Sequence, residues 1–415
     1  MEAIYILFAI PVFLVLIGLE LLVSLWLKKT NYRFNDTITN LNVGIGSQAF
    51  GLLFKVLLLG FYMLVYENFA IWHQPITLWS FLLAIIGKDF FFYWAHRWGH
   101  TVNIFWGAHI VHHQSEEYNL SVALRQSWFH NLMAFPIFIP LPLMGFDPLV
   151  FFAAMAAHTL YQFWIHTRYI GRLPDWIEYI FNTPSHHRVH HAIDPKYVDK
   201  NYAGVFIIFD RMFGTFRAEE DEPTYGITKP LNSWNPTWAN VHYYADMFAA
   251  MKQMKWADKL RMIVAKPGWL PEYMGGFTGA PEVDKENYVK YDKGTTNKGL
   301  IGYILVQFIL ILVGISAFMY RFEEISTFYQ IMFVGAIVLS MMICGALFEN
   351  KKWVFVAEYA RLLLLLVMFN TFYYFWYHDW FMVMLVSSSL SFVLFNAWFT
   401  FSGLMRGRTE IKVEN

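Results

Sequence analysis

The chain has 415 residues, of which 57% are hydrophobic, 20% aromatic and only 15% charged, and its formal net charge is zero. So apolar a composition excludes an ordinary water-soluble globular protein, and balanced charge without an arginine-rich patch excludes a nucleic-acid binder. The sole cysteine, Cys344, excludes a disulfide scaffold and cysteine-ligated zinc or iron–sulfur sites.

Apolar runs near the roughly 20 residues that cross a bilayer occur at 4–27, 41–66 and 77–95, then at 300–320, 328–348, 353–369 and 381–401. The first lacks a basic leader and a small-residue cleavage site and reads as a retained anchor. Between the two sets lie shorter runs, 132–146 and 149–165, joined at Gly145-Phe-Asp-Pro148. Pro136, Pro140 and Pro142 break the first, which predicts a re-entrant hairpin or two short crossings. Either way the chain returns to the side it left.

These segments predict an all-α, polytopic membrane protein of about nine apolar segments. Its regions are N-terminal spans at 1–76, a histidine-rich catalytic unit at 77–240, a helix and linker at 241–298, and a four-span domain at 299–415. Within the third region, Pro236 to Val264 reads as one helix, with Pro267-Gly268 beyond its end. It sets Met247, Phe248, Met251 and Met254 against Lys252, Lys255 and Lys259, a pattern for the membrane interface or for packing on the catalytic unit. Residues 275–299 read as a loop.

With alternating crossings, one side receives Lys28, Lys29, Arg33, Arg97, Arg125, the segment 166–299, Lys351, Lys352, Arg406, Arg408 and Lys412, and the other only Arg321. The positive-inside rule places the first side in the cytoplasm.

On that side lie three histidine clusters: His96 and His100; His109, His112 and His113; and His187, His190 and His191. Spacings of three and four residues predict that each cluster aims its imidazoles at one point. Neutral imidazoles in these numbers suit two transition-metal ions and offer nothing to magnesium or calcium. The hydrolytic H-E-x-x-H pattern is absent, because Thr101 follows His100. Asp89, two helical turns before His96, is placed to orient a ligand N–H or to pair with Lys88. His130 and His158 read as structural, satisfied by neighbouring carbonyls, and His73, His242 and His378 lie outside the site.

The stretch Asp89-Phe-Phe-Phe-Tyr-Trp-Ala-His-Arg-Trp-Gly-His100, with His109-Ile-Val-His-His113 and His187-Arg-Val-His-His191, resembles the membrane fatty acid hydroxylase/sterol desaturase superfamily. Asp199-Lys-Asn-Tyr-Ala-Gly204 and Asp210-Arg-Met-Phe-Gly-Thr-Phe216 are similar to it as well. Within it the likeness is strongest to alkylglycerol monooxygenases. It is carried by Ser115 to Ser127, Gln162 to Thr167, Asn182 to His187 and the four C-terminal segments.

The resemblance implies two iron ions, dioxygen and a membrane lipid substrate hydroxylated at a C–H bond, in an ether lipid at the carbon next to oxygen. It adds His166 and His186 to the eight clustered histidines as ligands or their supports. Asp89, Glu116, Glu117 and Asn119 become the catalytic candidates. It also implies an external electron donor, a tetrahydropterin or a small redox protein. Thr101 stands where pterin-using members carry a glutamate, which Glu116 or Glu117 would have to replace. No His-Pro-Gly-Gly or G-x-G-x-x-G segment supplies an internal donor. The alternatives are a sterol, carotenoid or fatty acyl hydroxylase or desaturase and, from another class, a membrane metal transporter or zinc-binding receptor. A transporter would carry its ionisable groups near the middle of its spans, whereas these histidines gather at span ends.

Overall fold

A computed structural model describes residues 2–410, with side chains for 9–402. Lys412 and the side chains of Arg406 and Arg408 lie outside the described residues. These are all-helical, with one isolated bridge, Ala192 to Tyr225, and no strand. The chain divides into two compact units, Met1–Asn232 with Trp238–Tyr291, and Ser233–Thr237 with Asp292–Asn415.

Helices α1 (Glu2–Trp26), α2 (Phe34–Phe69) and α3 (Leu78–Thr101) begin the first unit. Helix α3 opens on a capping box in which Thr77 Oγ1 accepts from Ser80 N at 3.1 Å and Ser80 Oγ accepts from Thr77 N at 3.0 Å. Helix α2 starts seven residues before its apolar run because its polar first turns are buried. Asp36 accepts from Ser115 Oγ at 2.8 Å, and Asn40 Oδ1 accepts from Arg125 at 3.0 Å. Gly44 allows this approach, since a Cβ there would lie 2.3 Å from Leu124 O.

After α4 (Asn103–His113), the Pro-rich run forms α5 (His130–Ala134), a 3-10 turn at Phe135–Phe138 and α6 (Pro140–Leu143). Each proline lacks a donor and cannot continue a helix interior. The chain reverses at Gly145, whose φ is 77° and whose Cβ would strike Trp72 O, and Asp147 then caps α7 (Pro148–Trp164) through Leu149 N. The two arms begin and end beside histidines: His130 lies 6.0 Å from His109, and His166 Nε2 lies 3.2 Å from His112 Nε2. Helices α8 (Asp175–Ile180), α9 (Pro184–His190) and α10 (Ile208–Met212) follow.

The expected helix from Pro236 to Val264 is two, α11 (Pro236–Met251) and α12 (Trp256–Val264). The break folds the two helices so that Met247, Met254 and Met262 pack in one cluster, whereas one straight helix would spread them over about 22 Å.

The second unit holds α13 (Lys298–Arg321), α14 (Thr327–Phe348), α15 (Val354–Trp376) and α16 (Phe381–Glu410). Its core contains a polar network. Arg361 on α15 pairs with Glu358 at 2.6 Å and donates to Gln307 on α13 and Ser340 on α14. Among the described residues seven helices are long and apolar enough to cross a membrane: α1, α2, α3 and α13 to α16, with α13 and α16 counted together with the 3-10 turns at Phe322–Glu324 and His378–Trp380. The two shorter runs of the sequence form the proline-broken arm and the 17-residue α7, which is why the expected nine segments appear as seven full-length ones. The chain is a multi-pass membrane protein.

Candidate metal centre

The last turns of α3 carry His96 and His100, and α4 folds back against them after one extended residue, Val102. The corner is held from outside: Asn103 N donates to Ala265 O at 2.9 Å and Asn103 Nδ2 to Met262 O at 2.8 Å. Helix α4 brings His109, His112 and His113, the end of α7 brings His166, and α9 brings His187 and His190, with His191 at its cap.

Their nitrogens form two buried groups. His96, His100, His109, His113 and His190 make one; His112, His166, His187 and His191 make the other; within each, the donor atoms lie within 4.8 Å of one another. The expectation that each cluster converges on one point is therefore corrected. His109 and His113 serve the first group while His112 serves the second; His187 and His191 serve the second while His190 serves the first. The reason is the 100° step of the helix. Residues i+3 and i+4 fall on opposite sides of residue i, so one H-x-x-H-H box can face two points at once. Histidine boxes on α4 and α9 thus link the groups.

Backbone carbonyls orient the rings. His96 Nδ1 donates to Tyr202 O at 2.6 Å, His112 Nδ1 to Arg125 O at 3.0 Å, His166 Nδ1 to Gln162 O at 2.8 Å and His190 Nδ1 to Lys200 O at 3.0 Å. Each bond leaves Nε2 as a bare lone pair pointing inward, the tautomer a metal requires. Burial first, then neighbouring imidazoles, hold His109, His113, His187 and His191 well below the ordinary histidine value. Burial brings His190 down to about 4 and His166 to about 3. All are uncharged donors at neutral pH.

The arrangement fits a transition-metal ion in each group. Lone pairs face each other at 3.2 Å between His112 and His166 Nε2, with no proton to share between them. The Nε2 atoms of His100 and His190 and Nδ1 of His187 are buried and have no hydrogen-bond partner. Buried polar atoms are otherwise almost always satisfied, so the orphaned Nε2 atoms of the first group and the facing Nε2 lone pairs of His112, His166, His187 and His191 in the second mark cation sites, and an all-nitrogen donor set is one for transition metals.

The other sequence candidates lie elsewhere. His186 belongs to neither group; its Nε2 lies 2.8 Å from Glu178 Oε2. Burial raises the Glu178 carboxyl, but bonds from His186, Leu173 N and Ser185 outweigh it and bring it down to about 2. Asp89 meets neither Lys88 nor a ligand ring. It accepts from His158 Nε2 at 2.8 Å and from the backbone N–H groups of Gly204, Val205 and Phe206 at 3.1, 2.9 and 2.7 Å. His158 is thus satisfied by a carboxylate and by Gln162, with no carbonyl needed. Glu117 pairs with Arg33 at 2.7 Å and Lys290 at 2.8 Å. Glu116 accepts from Tyr291 N at 2.7 Å. Asn119 donates to Asn31 O and accepts from Ser121. Thr101 Oγ1 donates to Arg97 O at 2.8 Å, within its own helix.

Sequence reasoning missed the segment that holds the rings. Asp210 accepts from Tyr202 N at 2.7 Å and Ala203 N at 2.8 Å. With Asp89 it fixes residues 202–206 from two sides, and that segment supplies the carbonyl to His96. Its signal was present in Asp199-Lys-Asn-Tyr-Ala-Gly204, where Asp199 and Asn201 adopt positive φ of 60° and 56°.

A family model of fatty acid hydroxylases matches residues 81–215. The chain is 36% identical to alkylglycerol monooxygenase of Homo sapiens over 86% of its own length and 81% of the relative's. It is 35% identical to that of Danio rerio over 86% and 80%. A Delta(7)-sterol 5(6)-desaturase of Schizosaccharomyces pombe is 29% identical over 39% of this chain and 51% of its own. No solved structure matches. The histidine groups, the membrane helices and these likenesses agree on an oxygen-dependent lipid-hydroxylating oxidoreductase, and the chain belongs to the fatty acid hydroxylase family, among the alkylglycerol monooxygenases.

Proposed function

We propose that the chain oxidises an ether lipid at the carbon next to the ether oxygen, using two iron ions held by nine histidines on the cytoplasmic side of the membrane. Bound iron supplies dioxygen activation for attack on an unactivated C–H bond. The balance is one dioxygen, two electrons and two protons per turnover, giving one hydroxyl on the lipid and one water. The hemiacetal so formed breaks to an aldehyde and a glycerol.

The chain's own part is to hold, orient and keep dry. Four carbonyls fix the ring tautomers, and burial keeps the imidazoles neutral. The site's position at the end of an apolar span lets a lipid arrive from the bilayer without water. The observation that carries the reading is the pair of all-imidazole groups at the end of α3. Cytoplasmic placement rests on the one-sided basic residues. Electrons come from a tetrahydropterin or a small redox protein.

Lipidomics of cells with and without the gene tests the substrate. Loss of the gene should raise alkylglycerols alone; a change confined to sterols would favour the desaturase reading, for which the sterol desaturase likeness speaks.

A further inference from the structure

Lys88 sits at the middle of α3, the helix that ends in His96 and His100, and is 5% exposed. Among the described residues no carboxylate or other acceptor hydrogen-bonds its ammonium. Its neighbour Asp89 is already occupied by four donors from His158 and the 204–206 backbone. The ammonium lies instead 3.7 Å from the centroid of Phe138 and 5.0 Å from that of Phe92, both members of the apolar cluster of Tyr62, Ala84, Leu141 and Phe151. Charged groups within spans are costly, normally paired, and mark substrate paths. Ring faces attract a cation but do not replace an anion.

The position ties Lys88 to the metal centre. Lys88, Phe92 and His96 are spaced four apart and share one face of α3. The Phe92 ring contacts His96 at 5.1 Å and His158 at 4.7 Å. On the facing arm, His130 is within electrostatic reach of Lys88 and 6.0 Å from His109. Phe92 and His130 thus each neighbour both the ammonium and the first histidine group.

We propose that Lys88 anchors the anionic group, a carboxylate or a phosphate, of a lipid held in the membrane part of the catalytic unit, about 12 Å along α3 from His96. The inference rests on the lipid-oxidising reading and extends its ligands from neutral to charged lipids. The chain of such a lipid passes Phe92 on its way to the histidines.

The test is binding to the purified full-length, metal-loaded protein in neutral detergent, with palmitate, hexadecyl phosphate and hexadecanol as probes of equal chain length. The wild type should bind at least one anionic probe tenfold or more tighter than hexadecanol, and the tighter of the two identifies the group. Lys88→Met, an apolar chain of similar length in an apolar cluster, should erase the preference, and Lys88→Arg should keep it. Melting temperature and metal content establish that each variant is folded. Equal binding of all three probes by the wild type, or a preference that survives Lys88→Met or Lys88→Gln, overturns the proposal. Alkylglycerol oxidation by the wild type is measured separately, so that absence of an anion preference in the wild type with its oxidation intact refutes the anchor alone.

Discussion

The Nε2 atoms of His112 and His166 lie 3.2 Å apart across 54 residues of sequence, while both Nδ1 atoms donate to backbone carbonyls. Two bare lone pairs at this distance repel, and only a cation between them converts the contact into an attraction. His166→Ala should therefore empty the second group and leave the first filled, lowering metal content from about two ions per chain to about one. The loss of affinity should exceed the ~10–100-fold typical of changes behind the ligands. His186→Ala should keep both ions, because its ring faces Glu178. Elemental analysis of the two purified variants decides; loss of metal in His186→Ala would contradict the assignment.

Asp89→Asn keeps the size of the side chain but weakens its bonds to three backbone N–H groups and to His158. The 202–206 segment then loses one of its two carboxylate supports, and Tyr202 O no longer fixes the His96 ring. Metal affinity should fall ~10–100-fold, while membrane insertion, which depends on apolar span length, stays unchanged. Competition with a chelator measures the first and membrane fractionation the second.

How much of this was legible beforehand follows from the physics of each part. Spans and ligand residues show in sequence because apolar length and histidine spacing are local properties. The division of each H-x-x-H-H box between two groups was hidden: it depends on where α7 and α9 stand around α4, which no local pattern records. The partners of Asp89, Glu116, Glu117 and Asn119 were hidden for a similar reason. Proximity to a histidine box along the chain did not foretell partners as distant as Arg33, Lys290 and the backbone of residues 204–206. His166 was found only through the family resemblance.

Metal-free protein should be acid-labile. Its buried His166 and His190 titrate near 3 and 4 when folded, against an ordinary value of 6.5. Between these values the unfolded chain takes up protons that the folded one refuses, so stability falls as pH drops below about 6.5. Each site contributes up to ~1.4 kcal/mol per pH unit in that window. Melting curves of the metal-free protein from pH 8 to pH 5 should be level above the window and fall within it. A melting temperature constant to pH 5 would show that the rings are not held neutral.

Thr101 bonds back to Arg97 O, and Glu116 and Glu117 are engaged by Tyr291 N, Arg33 and Lys290. Glu116 and Glu117 are thus already engaged, which speaks against either replacing the glutamate that the family resemblance leads one to expect where Thr101 stands. Tetrahydropterin alone should support slow turnover of an alkylglycerol, a ferredoxin or cytochrome b5-type donor should support fast turnover, and Thr101→Glu should raise the pterin-driven rate. Fast pterin-driven turnover by the wild type that survives Glu116→Gln and Glu117→Gln would reverse this view of the donor.

Oxygen insertion at the histidine centre is read by a single turnover under labelled dioxygen. Iron-loaded, reduced protein in lipid nanodiscs with an alkylglycerol is mixed with ¹⁸O₂, and the aldehyde is trapped at once by borohydride as the alcohol. One labelled oxygen is expected in that alcohol, with unlabelled glycerol and loss of both products in His112→Ala. Unlabelled product, or no oxidation with iron bound in both histidine groups, would contradict it.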